Sequence, residues 1–263
     1  MRQRNGLAEL TARLIGRLKC AFEFRRKMLF IACFPKSGST YFMELLCEVT
    51  GFQRIHLVYS YERSSQNIYF PSLVDQCHRN GVVQQHIRAT HAHIELMNNY
   101  RIIPIIHVRN IFDVVISLVE YFDSVTNPKM FICYTNEKYA EMSRKEKIDF
   151  IIEFAVPWYF HFYVSWWDSM KKNLINVIWT SYEEMLSEPE TMLNRVLEFS
   201  RVEQKVKVEE AIHRVMYKRK KIRFNKGVQG RGMVELTMGQ QDKIRKYADY
   251  YPWVDFSPIG IEK

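Results

Sequence analysis

Three short apolar runs in this 263-residue chain pass directly into segments with helical periodicity, and no other feature constrains the fold as much. Leu29–Phe34 leads into Ser39–Val49. Ile102–Val108 leads into Ile111–Phe122. Leu174–Trp179 leads into Tyr182–Leu186, which continues past Pro189. A fourth run of strand length, Val82–Ile87, lies between the first two. Strand-sized apolar runs alternating with amphipathic helical stretches build βαβ units. Right-handed crossovers then make the strands parallel and cover the sheet with helices. The expectation is one α/β domain over residues 1–263, with a central, mostly parallel sheet flanked by helices.

The rest of the chain fits that frame. It has no internal repeat, low-complexity tract or linker-like stretch. Hydrophobic residues make up 47% and aromatic residues 14%, which supports a substantial core and excludes a disordered chain. A helical region runs from about Arg144 to Lys172, with Pro157 as a break, and its "WYFHFYVSWW" cluster reads as core. Residues 123–145 and 220–236 read as long loops. The first 30 residues are basic and amphipathic, predicting a helix over about 7–27 that packs on its own domain or makes peripheral contact with a membrane. No apolar run is long enough to span a bilayer. Five cysteines at 20, 33, 47, 77 and 133 form no C-x-x-C pair, which argues for free thiols in a reducing, cytoplasmic setting.

A net charge of +9 asks for an anionic partner: nucleic acid, a membrane surface or a phosphorylated small molecule. In open parallel sheets such ligands bind beyond the carboxyl ends of the strands. After the first run stands "CFPKSGSTYF". Gly38 permits a sharp turn and the close approach of an anion. Ser39 or Thr40 opens a helix whose N–H groups face the loop. Lys36 adds charge, and Ser37, Ser39 and Thr40 add hydroxyls. The order is not that of a Walker P-loop, where the lysine follows the glycines and precedes the helix.

"FPKSGSTYF" resembles the 5′-phosphosulfate-binding loop of the PAPS-dependent sulfotransferases, commonly YPKSGTTW. Pro35, Lys36, Ser37, Gly38 and Thr40 match, Ser39 is a conservative replacement, and Tyr41 stands in place of a tryptophan near the adenine. After Ile102–Val108, Arg109 and Ser117 in "VRNIFDVVISLVEYF" resemble the family's R-x7-S motif for the 3′-phosphate. At the end of Leu174–Trp179, "WTSYEEMLSEP" resembles FYEDMKENP, which puts Tyr182 near the adenine. Late in the chain, "FNKGVQGRG" resembles the R-K-G-x-x-G loop that closes over the nucleotide. Lys226, Gly227 and Gly230 match it. Asn225 replaces the family arginine, for which Arg223 or Arg231 could substitute. Thr237 with Gln240 reads as a capping box for the helix that follows.

The resemblance implies a P-loop-like nucleotide-binding fold and sulfuryl transfer from PAPS, leaving PAP, with no metal. Lys36 would stabilise the charge that develops on the leaving phosphate. "IRATHAHIEL" resembles the family's KTH segment, so His91 is the expected base that deprotonates the acceptor. His93, Glu95 and Glu44 are alternatives, and Ala89 replaces the KTH lysine. The acceptor is a small molecule, lipid or glycan and not nucleic acid. Segments 52–80 and 123–150, with Tyr59, Tyr61, Tyr69, Phe70, Phe122 and Phe131, would line its pocket. The oligomeric state stays open, since the family's K-T-V-E dimerisation segment is not apparent. Two other readings compete. A P-loop nucleotide kinase would need Walker order and a metal-binding aspartate. An anion-binding or nucleic-acid-binding module would leave the four ordered motifs unexplained.

Overall fold

A computed structural model describes residues 26–59, 66–125, 129–130, 132–135, 137–218 and 229–262. In chain order β1 (Met28–Cys33) feeds α1 (Ser39–Thr50), followed by β2 (Gln53–Ile55), α2 (Phe70–Gln76), β3 (Gly81–Gln85) and α3 (His91–Asn99). Then come β4 (Ile102–Val108), α4 (Ile111–Ser124), a ribbon of β5 (Lys129–Met130) and β6 (Cys133–Tyr134), α5 (Glu137–Glu141), α6 (Arg144–Phe154) and α7 (Val156–Lys171). The chain continues through β7 (Ile178–Ser181), α8 (Tyr182–Ser187), α9 (Pro189–Ser200), α10 (Val208–Lys218), α11 (Arg231–Glu235) and α12 (Met238–Asp249). The expected helix over 7–27 lies outside the described residues, apart from its last two.

The five main strands form one parallel sheet in the order β2-β3-β1-β4-β7. Both faces are covered, so β1 reads as a continuous apolar run. Its alternation still sorts side chains between two cores. Leu29, Ile31 and Cys33 pack with Phe42, Leu45, Leu46 and Val196 on one face. Phe30, Ala32 and Phe34 pack with Tyr159, Phe162 and Trp166 on the other. β4 divides the same way: Ile105 belongs to the first core, Ile106 and Val108 to the second. The aromatic cluster of α7 is therefore core, as its sequence indicates.

One strand is new and two local expectations need correction. β2 is a short edge strand, only three residues long, that the sequence pattern did not distinguish. The last sheet strand begins at Ile178, not Leu174. Asn173 takes a left-handed conformation (φ 53°), and Leu174 N–H closes α7 on Ser169 O at 2.9 Å, so these residues end the helix before the chain reaches the sheet. The stretches read as loops contain structure: the β5–β6 ribbon and α5 in 123–145, and the single-turn helix α11 within 220–236. The helical region of 144–172 does break as expected, at Ala155. Pro157 then sits in the first turn of α7, where its missing donor costs nothing. The Thr237–Gln240 capping box is present.

Candidate functional site

The strand order switches beside β1: the chain passes to β3 on one flank and to β4 on the other. The loop 35–40 lies at the carboxyl end of β1, where such folds bind ligands. Two left-handed residues shape it, Lys36 (φ 67°) and Gly38 (φ 73°). Glycine adopts this conformation freely, whereas a lysine does so against about 1–2 kcal/mol of steric cost. Tertiary contacts hold it there. Arg109 Nη1 donates to Lys36 O at 3.0 Å, and the Tyr159 hydroxyl donates to Pro35 O at 3.2 Å. The Ser37 hydroxyl donates to Phe34 O at 2.7 Å, and His107 Nε2 lies 2.9 Å from Ser37 O.

The loop's own donors are left over. Gly38 is the N-cap of α1 and has no side chain to bond the first amides of the helix. The backbone N–H groups of residues 36–40 find no partner among the described residues. Lys36 Nζ stands 4.6 Å from the centre of the Tyr121 ring. Burial, and secondly Arg109, lower its pKa from the ordinary 10.5, with Glu120 opposing them. The result is a concave nest of N–H groups with one cation at its rim, a form that binds phosphate or sulfate.

Arg109 directly follows β4 and reaches the carbonyl of Lys36 in this nest. Its guanidinium lies 4.2 Å from the centre of the Tyr182 ring and its Nη2 3.8 Å from Asp113 Oδ2. Its Nε is buried and has no hydrogen-bond partner. Stacking on tyrosine fixes the plane of the fork and leaves its edge for a ligand. Ser117, on the same helix as Asp113, is buried within the second turn of α4.

Sequence reasoning gave Asp113 no function, and the structure gives it one. Its Oδ2 accepts from Gly230 N at 2.9 Å and its Oδ1 from Gly232 N at 2.7 Å. Gly232 lies so close to α4 that a Cβ would come within 2.2 Å of the Phe112 carbonyl carbon. The exit of the late glycine-rich segment is thus pinned to the first turn of α4, beside Arg109. The only local hint was the R-x3-D spacing. Likewise, Glu183 Oε1 accepts from Asn110 N at 3.1 Å, and burial raises its pKa.

The remaining sequence-predicted residues fall as follows. Ser39 is buried, its hydroxyl accepting from Gln84 Nε2 at 2.8 Å, while Thr40 is exposed. Tyr41 is buried in the core that carries α1. Tyr182 opens α8 and packs beneath Gly38. Asn225, Lys226, Gly227 and Arg223 lie outside the described residues. Arg231 does not stand free as a substitute for the missing arginine: it is ion-paired with Glu120 and Glu235. His91 is exposed at the first position of α3, capped by Thr90. His93 is buried with Nδ1 2.8 Å from Arg88 O, and burial lowers its pKa. Glu44 is ion-paired with Arg54. Among the described residues no cluster of His, Cys, Asp and Glu could hold a metal, and no helix is long and apolar enough to cross a membrane.

Comparison with known proteins agrees with this geometry. The family model described as "Sulfotransferase domain" matches residues 26–249. No curated protein sequence matches the chain. Among solved structures, mouse sulfotransferase SULT7A1 complexed with PAP is similar in fold, with a TM-score of 0.63 and 17% identity over 86% of each chain.

Proposed function

The chain belongs to the sulfotransferase domain family, and on that premise we propose that it moves a sulfuryl group from PAPS to a hydroxyl or amine, releasing PAP. The observation that supports this most is the pairing of two anion seats by one hydrogen bond. The N–H nest of residues 36–40 and the buried Arg109 are joined at Lys36 O. A nucleotide with phosphates at both its 5′ and 3′ positions suits two such seats, whereas a triphosphate with a metal calls for a single extended cradle.

In this reading Lys36, Gly38, Ser39 and Thr40 hold the 5′-phosphosulfate, with Ser37 contributing its backbone N–H. Arg109 and Ser117 hold the 3′-phosphate. Tyr182 supports both seats from below, and Tyr41, Asn225, Lys226 and Gly227 complete the nucleotide site. The acceptor oxygen attacks sulfur, and the bond from sulfur to the bridging oxygen breaks. That electron pair stays on the 5′-phosphate of PAP, where the Lys36 ammonium offsets the new charge. His91 takes the acceptor's proton.

Family members act on small-molecule or glycan acceptors, and aromatic side chains near the site suit a lipid or an aromatic ring as well. Cys33, Cys47, Cys77 and Cys133 are all unbridged, which supports a reducing cytoplasmic setting. Peripheral membrane contact through the N-terminal segment belongs to the same proposal.

Thermal unfolding with PAP and with ATP–Mg²⁺ tests the reading. PAP at a hundred times its Kd should stabilise the fold by about 2.7 kcal/mol. Stabilisation by ATP–Mg²⁺ without any by PAP would refute it.

A further inference from the structure

We propose that His107 is a positioning residue that holds the phosphosulfate loop by the carbonyl of Ser37. The inference rests on the reading of residues 36–40 as the 5′-phosphosulfate seat. His107 lies near the end of β4, paired with Cys33 of β1 on one side and Thr180 of β7 on the other. Its side chain is fully buried on the α1 face, tilted against the Phe42 ring with centroids 4.8 Å apart. A lone histidine in an apolar strand usually fills space, but this one bonds through both nitrogens. Nε2 lies 2.9 Å from Ser37 O, and Nδ1 lies 3.0 Å from Thr180 Oγ1.

Ser37 O can only accept, so Nε2 carries the proton. Nδ1 is then the acceptor, and the Thr180 hydroxyl donates to it at 3.0 Å in preference to the more distant Ile106 O at 3.4 Å. Ser37 O thus selects the tautomer, and Thr180 satisfies the nitrogen on the other side of the ring and holds its orientation. Buried neutral rings favour this arrangement, and burial lowers the pKa of His107 to about 4. The same residue also accepts from Phe34 N through its backbone carbonyl at 3.0 Å. His107 therefore grips the loop at both ends of the turn, at Phe34 and at Ser37. Its backbone contact would survive substitution, but its ring contact would not. The ring contact fixes the peptide between Ser37 and Gly38, whose N–H is one of the nest's donors. His107 touches no reacting atom in this scheme; it orients the amides that do.

A pair of nucleotides separates this role from general stability. PAP occupies both anion seats, whereas adenosine 3′-monophosphate lacks the 5′-phosphate and tests the Arg109 seat alone. His107→Phe should weaken PAP binding by about tenfold, the scale of one lost buried hydrogen bond, and leave adenosine 3′-monophosphate binding unchanged. His107→Gln keeps a donor and should restore most of the loss. If His107→Phe does not fold, Thr180→Val removes the hydroxyl that holds Nδ1, at nearly constant volume, and should still weaken PAP selectively, by about threefold. In the wild type, nitrogen-15 NMR should find His107 protonated at Nε2 and shifted by PAP but not by adenosine 3′-monophosphate. Equal losses for the two nucleotides, no loss in a folded His107→Phe, or an Nδ1–H tautomer would each overturn the proposal. Failure of the wild type to bind PAP would overturn the loop reading along with it.

Discussion

Arg109 Nη1 donates to the backbone carbonyl of Lys36 at 3.0 Å, across 73 positions of sequence. The arginine assigned to one phosphate thus holds the residue assigned to the other in its left-handed conformation. Arg109→Lys would retain charge but lose the fork that reaches both the carbonyl and a ligand. We expect PAP affinity to fall between tenfold and a hundredfold, on the order of a lost charge-assisted hydrogen bond. Calorimetric titration measures it. Affinity within twofold of wild type would remove Arg109 from the site.

Lys36 loses its proton at a lower pH than a free lysine, because burial and Arg109 both disfavour its charge. PAP binding should therefore weaken on the alkaline side before pH 10.5, the ordinary lysine value. Lys36→Arg, which stays charged, should move that limb upward. Titrations of PAP affinity from neutral to alkaline pH compare the two. Superimposable limbs would dissociate Lys36 from the anion.

His91 and His93 are distinguished by their surroundings. His91 is open to solvent at the head of α3, and His93 is buried against Arg88 O. His91→Ala should cost at least a hundredfold in turnover, the usual scale for a lost general base, with little change in melting temperature. His93→Ala should show the reverse. An acceptor screen with labelled PAPS supplies the assay, and the reverse pattern would reassign the base to His93.

Acid stability should carry a histidine signature. The folded pKa of His107 is lowered by burial to about 4, below the 6.5 of the unfolded chain. Between those values the unfolded state binds a proton that the folded state does not, so stability falls as pH drops from 6.5 towards 4. His86 and His93, both lowered by burial, act in the same direction. Melting temperature against pH should fall across this window, and His107→Gln should flatten the slope. An unchanged slope would mean that His107 titrates normally.

Asp113 clamps Gly230 and Gly232 to α4 with two backbone hydrogen bonds. Asp113→Ala leaves both N–H groups without their acceptor and should destabilise the fold by about 2–4 kcal/mol, seen as a lower denaturant midpoint. PAP binding should weaken as well, because Arg109 loses its neighbouring carboxylate. A variant as stable as the wild type would show that the clamp is dispensable.

Much of this was legible in the chain, and the gaps have physical causes. β1, the loop and α1 form one local unit in which strand, turn and helix signals agree, so "CFPKSGSTYF" could be read in place. Arg109 and Ser117 share one strand–helix junction, so their placement just after β4 and within α4 was legible for the same reason. Leu174 was misassigned because an apolar side chain at a helix exit looks like the start of a strand, and only the left-handed Asn173 settles the difference. Arg231 reads as available in the sequence because its partner Glu120 lies 111 positions away. Asp113 and His107 carry no motif at all. Each acts through a backbone group distant in sequence, 117 and 70 positions away respectively, and periodicity says nothing about such partners.

Gly38 lies directly above the Tyr182 ring, where an added Cβ would come within 2.8 Å of two ring carbons. The same ring faces the Arg109 guanidinium at 4.2 Å. Residues 38 and 182 are therefore one steric unit. A side chain gained at position 38 would push the ring aside and so take away the surface on which Arg109 lies. The absence of one side chain at position 38 is therefore what lets a single ring serve as floor for the loop and as platform for the guanidinium.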